Sequence, residues 1–287
     1  MRLQTNKRNR IIQSSFLEFD SKDFIYLVKL ILLYYAQIIH DIESMKYHFA
    51  VHFYKIKKAQ QLNEMQVFNL QKIANTIEFP FSINNNIIVF DYAIRKNLLS
   101  SVRLFFRKYR LYSFKITDTI IVTDLTTQQF SNAHAAYTAF ATSGLEVFLN
   151  LMMASLHLKK EVNSEHLDKY AQKFAKLSFS LKFAVYAEFS AMMNYLLTQS
   201  TYAAAFSGNG SDSRSKIQLG FEESVIQISK KGYATIDQVR KMNIIEFLDI
   251  LLKEHIDIIV ELKQNGMNKL EIAKVLKISM DELSKII

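Results

Sequence analysis

Between Asn132 and Phe206 alanine recurs at positions 133, 135, 136, 139, 141, 154, 171, 175, 184, 187, 191 and 203 to 205, and no strand-like alternation interrupts it. Small side chains let helix backbones approach closely, so this stretch is expected to fold as three or four long packed helices. Breaks are expected at Gly144 and around Glu161-Val162-Asn163-Ser164. The paired methionines Met152-Met153 and Met192-Met193 suit the irregular gaps of such a core, where a flexible thioether packs well.

The flanks read differently. Phe24 to Ile39 is the most apolar stretch, but it is 16 residues long and carries Lys29 and Gln37. A spanning helix needs about 20 clean residues, so a buried helix capped by Ser21 is expected and no membrane partner is assigned. Helical patterns follow near residues 41 to 60 and 63 to 77, the second stopped by Pro80. Ile83 to Phe90 ends in Ile87-Ile88-Val89-Phe90, a β-branched run too short for a helix, and reads as a strand. Residues 112 to 122 alternate in hydrophobicity and fit a half-buried strand or a hairpin turning near Thr117-Asp118. Ser207 to Lys216, rich in Gly, Ser and Asn, reads as a flexible linker. Its Gly208-x-Gly210 lacks the third glycine and the Gly-Lys-Ser/Thr end of a phosphate loop.

The expected fold class is therefore mainly α, with a small β element near 83–123 and a C-terminal three-helix unit. The expected organisation is a basic helical region with the short β element over 1–130, an Ala-rich bundle over 131–206, the linker over 207–216 and a C-terminal helical domain over 217–287. The chain has no cysteine, which excludes disulfides, thiolate metal sites and Cys nucleophiles and leaves a reducing or indifferent context; the expected setting is cytoplasmic.

Charge narrows the choice of partner. The net charge is +9, yet residues 217–287 carry 10 basic and 11 acidic side chains, leaving 26 against 16 in residues 1–216. An anionic partner would therefore meet the first three quarters of the chain. Between Asp91 and Asp118 no acidic residue occurs, and seven basic ones do. Drawn on a helix, Lys96, Arg103, Arg107 and Arg110 fall on one face, with Ile94, Leu98, Val102, Phe105 and Tyr109 opposite. Such a stripe suits phosphate contact, possessing the charge and the shared face. It is equally the pattern of a solvated face on an amphipathic helix.

At the C-terminus, residues 266–287 place Ile272 and Ala273 in one helix, Leu276 and Ile278 around a turn, and Leu283 and Ile286 in a second helix that Ser279 would cap. Upstream, Asn243 with Glu246 caps a helix from Ile244. Residues 266–287 resemble a helix-turn-helix of the kind appended to mobile-element, transposase-like proteins. The resemblance covers this segment alone, and Lys277 stands where that motif commonly has glycine. Because the second helix would open with Met280-Asp281-Glu282, it suits helical packing or partner docking better than groove reading.

No catalytic constellation is assembled. His48-x-x-x-His52, with His40 and Glu43 upstream, lacks the glutamate of a zinc-protease helix, and Glu261-x-Lys263 reads helical where a nuclease would need a strand. No metal and no cofactor is assigned. The expected function is a non-enzymatic, nucleic-acid-associated protein of phage or mobile-element type. The alternative is an adaptor that self-associates or binds a protein partner through helices.

Overall fold

The computed structural model describes residues 19–56, 61–77, 81–84, 87–90, 94–157, 164–203, 213–276, 280 and 283–284. The chain divides into two compact units, one of residues 1–99 and 178–188, the other of residues 100–177 and 189–287.

The first unit contains α1 (Ser21–Tyr35), α2 (Ile42–Phe53), α3 (Glu64–Asn75) and a hairpin of β1 (Phe81–Asn84) and β2 (Ile87–Phe90). Phe24, Leu27, Val28 and Ile31 of α1, and Met45, Phe49 and Phe53 of α2, recur at helical spacing and are buried. Helix α1 lies where its apolar run predicts it, but its cap is Asp20, whose carboxylate accepts from the Lys22 and Asp23 amides at 2.8 Å each. Ser21 is already inside the helix. A carboxylate satisfies two orphan N–H groups and opposes the helix dipole, which a hydroxyl does less well. No described helix is long and apolar enough to cross a membrane. The strand expected at 83–90 is one arm and part of the other of an antiparallel hairpin, Phe81 pairing with Phe90 and Asn84 with Ile87.

Helix α7 (Phe179–Asn194) gives residues up to Glu188 to this unit. Glu188 is fully buried, and its Oε1 accepts from the amides of Leu98 at 2.6 Å and Leu99 at 2.8 Å. It thereby satisfies two backbone donors outside the named strands. Desolvation, only partly offset by these bonds, pushes its carboxyl up to about 8.

The second unit begins with the hairpins β3–β4 (Ser101–Leu104 and Arg107–Arg110) and β5–β6 (Phe114–Thr117 and Ile120–Thr123). Asp118 takes φ +50° in the β5–β6 turn, at the expected place. Then follow α4 (Thr127–Ser143), α5 (Glu146–Leu156), α6 (Ser164–Phe174) and the end of α7, which runs into one π-helical turn at Tyr195–Gln199. Gly144 ends α4 at φ +69°, a left-handed position that costs glycine little. Met152, Met153, Met192 and Met193 are all buried. So is His134, whose ring lies parallel to that of Phe130 and which desolvation holds down to about 4, neutral in the core.

The remaining helices are α8 (Ser213–Lys230), α9 (Ile236–Lys241), α10 (Ile244–Gln264) and α11 (Lys269–Leu276). Residues 207–212 of the expected linker lie outside the described residues, whereas 213–216 form the first turn of α8. The C-terminal segment is stitched to the β6–α4 junction. Thr127 N donates to Met242 O, Ile244 N to Leu125 O, and the Asn243 side chain to Thr123 O at 2.8 Å. Asn243 also accepts from Ile245 N at 2.8 Å, the cap expected there. Phe221 of α8 meets both Phe130 and Phe247.

Helix α10 closes in a Schellman turn: Gly266, at φ +83°, donates to Lys263 O, and Met267 donates to Leu262 O. Asn268 and Glu271 then cap α11 reciprocally. Ile272, Ala273 and Leu283 are buried together with Ile259, and Leu262 and Leu276 pack against them. Ile278 and Ile286 lie outside the described residues.

Two stability outcomes follow from these contacts. Glu188 holds its proton in the folded chain from its ordinary value near 4.5 up to about 8. Unfolding in that window releases the proton, so stability falls as pH rises through it and levels off above. Glu188→Gln keeps the Oε1 acceptor without the ionisation, so thermal unfolding should lose this decline and the variant should melt above the parent at pH ~8.5. Ala273→Phe should lower stability by about 1–3 kcal/mol, because a ring added at this buried position overpacks the cluster with Ile259, Ile272 and Leu283. Urea unfolding followed by circular dichroism measures it, and an unchanged midpoint would remove Ala273 from that contact.

Candidate nucleic-acid interface

Residues 101–110, whose spacing also fits a helix face, are the β3–β4 hairpin. This corrects both the stripe and its backing. In the hairpin Val102 pairs with Tyr109, Arg103 with Lys108, Leu104 with Arg107 and Ser101 with Arg110. Side chains alternate across the pleat, so Val102 and Tyr109 face inward while Arg103, Lys108 and Arg110 share the outer face. Arg107, across from Leu104 near the turn, is exposed too. The structure thus gathers Arg103, Arg107 and Arg110 on one ribbon and adds Lys108. Lys96 belongs to the other compact unit.

What holds the ribbon is its inner face. The Tyr109 ring stands edge-on to His157 at 5.5 Å, Phe174 at 5.4 Å and Tyr170 at 6.3 Å. His157, just after α5, donates from Nδ1 to the Arg110 carbonyl at 2.7 Å, which fixes its tautomer because a carbonyl only accepts. Tyr112 N donates to Leu156 O at 2.9 Å. The base of the hairpin is therefore bonded to the α5 end and packed on α6.

The outer face is charged and sparsely compensated. Arg110 reaches Asp124 at 3.4 Å, an exposed contact of little energetic weight. Arg103, Arg107 and Lys108 have no ion pair among the described residues. Arg103 and Lys108 stand directly opposite each other, an arrangement that costs stability in an antiparallel pair. An anion between them removes that cost.

The turn is the feature that helical periodicity hides. Phe105 and Phe106 form a two-residue loop, with Phe105 at φ +52°. Type II′ hairpin turns place glycine at that first position, since a Cβ there is strained. Phe106 is 103% exposed and Phe105 76%. A helix would put Phe105 in the core stripe, and the structure puts it in solvent. The period-two placement of Val102 and Leu104, then Arg107 and Tyr109, is the signal for a ribbon, and the absence of Gly, Asn or Asp at the turn masks it.

The other residues singled out in the sequence lie elsewhere. His52 stacks on Tyr26 at 3.9 Å and meets Asp23 at 3.2 Å. Among the described residues no three metal-ligating side chains converge. Glu261 and Lys263 both lie in α10, not on a strand.

Phe105→Gly should relieve the left-handed strain, worth about 1–2 kcal/mol, against about 0.5–1 kcal/mol of added chain entropy. The expected result is a protein equally stable or up to about 1.5 kcal/mol more stable by urea unfolding, and a clear drop in stability would mean that the Phe105 ring is structural. No protein-family model, curated protein or solved structure matches this chain.

Proposed function

We propose that this chain is a non-enzymatic nucleic-acid-binding protein whose β3–β4 hairpin contacts phosphates. The observation that carries the reading is the exposed cations of the hairpin, Arg103 and Lys108 on its outer face and Arg107 near the turn on the other, with no ion pair among the described residues and on a ribbon anchored by Tyr109 and His157. A rigid arm bearing guanidinium and ammonium groups at strand spacing suits a repeating phosphate backbone. The resemblance of residues 266–287 to helix-turn-helix tails of mobile-element, transposase-like proteins suits the same reading, with that unit docking a partner rather than entering a groove.

A second reading, an adaptor assembling through helices, is favoured by the outward apolar side chains of the C-terminal segment. Leu270 and Val275 of α11 and Val260 of α10 are exposed.

Titrating duplex and single-stranded DNA across salt separates the two. Wild-type protein should bind at ~50 mM salt with affinity falling steeply as salt rises. Replacing Arg103, Arg107 and Lys108 by Gln should leave the fold intact by circular dichroism. The slope of log K against log salt should flatten by about 0.9 for each phosphate that the substituted side chains no longer neutralise. Absence of salt-dependent binding by the wild type to both duplex and single-stranded nucleic acid would discard the nucleic-acid reading, and concentration-dependent self-association by sedimentation would then support the adaptor.

A further inference from the structure

The cations account for phosphate contact but leave the tip unexplained. A two-residue turn is built most cheaply from Gly, Asn or Asp, and here it is two phenylalanines, one of them in the left-handed region. Single exposed apolar side chains are ordinary on protein surfaces. These two differ in being adjacent, at the end of an anchored ribbon, and flanked by Arg103, Arg107 and Lys108. Lys176 adds a further cation, its Nζ lying 5.8 Å from the centre of the Phe105 ring. Local turn rules are broken where function requires it, and an aromatic pair held out by positive charge matches a ligand with both flat faces and negative charge.

We infer that the Phe105–Phe106 tip is a stacking platform for unpaired bases, so that the hairpin binds single-stranded nucleic acid in preference to continuous duplex. The inference rests on the phosphate-binding reading of the same hairpin and specifies the partner. An unpaired base offers its π-face at no unstacking cost, whereas insertion into a duplex must first separate neighbouring pairs. Phe106, with its ring wholly in solvent, meets the first base. Phosphates on either side of that base fall to Arg103 and Lys108 on one face of the ribbon and Arg107 on the other.

The chain has no tryptophan, so Phe106→Trp puts the sole indole at the tip. Its emission should be quenched by a ~12-nucleotide oligothymidylate and much less by a ~20-base-pair blunt duplex. A second variant, Phe105→Gly with Phe106→Asn, installs a favoured hairpin turn and so keeps the ribbon folded. It should bind the labelled oligothymidylate at least about ten-fold more weakly than wild type, with an unchanged salt slope, and should bind duplex within about three-fold of wild type. Salt-dependent binding by wild type that this variant retains in full, without quenching in Phe106→Trp, would overturn the stacking platform and leave the phosphate reading standing. Absence of binding to either nucleic acid would overturn both. Quenching and a blue shift with anionic phospholipid vesicles, and none with oligothymidylate, would overturn the inference in favour of a membrane-seating tip.

Discussion

A two-stranded ribbon has too few cross-strand contacts to persist alone in water, and every sheet described in this protein is two-stranded. Each hairpin therefore exists only as far as helices hold it. For β3–β4 the holding group is Tyr109, whose ring is shared among His157, Tyr170 and Phe174, with the His157 imidazole bonded to the backbone next in line. Because three aromatic contacts converge on one strand residue, the base of the ribbon is fixed while its tip makes few contacts.

The same logic governs the C-terminal helices. Asn243 serves three neighbours at once: it starts α10, bonds to Thr123 and flanks the backbone exchanges of Met242 and Ile244 with Thr127 and Leu125. Strand β6, helix α4 and helix α10 are joined at that residue. The small cluster of Ile259, Ile272, Ala273 and Leu283 then closes the chain beyond the Schellman turn. Apolar burial here is modest, so the polar caps carry a larger share of the specification than in the methionine- and phenylalanine-filled middle.

Charge and burial divide the molecule's work. Buried ionisable groups such as Glu188 and His134 are held neutral and serve backbone satisfaction or core filling. The basic side chains on the ribbon, by contrast, stand exposed in solvent. Like charges facing across Arg103 and Lys108 lower the stability of the free ribbon, and counter-charge from a ligand returns it.

Much of this was legible in the residues alone. Helical periodicity placed α1 to α3, alanine frequency placed the α4–α7 region, Gly144 its first break, and Asn243 the start of α10. These succeed because a helix is decided by contacts three and four residues apart, which sequence spacing displays. The ribbon at 101–110 was not legible, although its basic residues were. Over ten residues, apolar positions at 102, 105 and 109 fit a helix as well as a strand, and Phe105-Phe106 gives no turn signal. The choice was made by Tyr109 meeting side chains of α6 more than 60 residues away and by His157 reaching back to Arg110. Strand pairing takes its energy from such distant partners, so composition alone determined that this stretch is positively charged, and only tertiary packing determined that the charge stands on an arm with an aromatic tip.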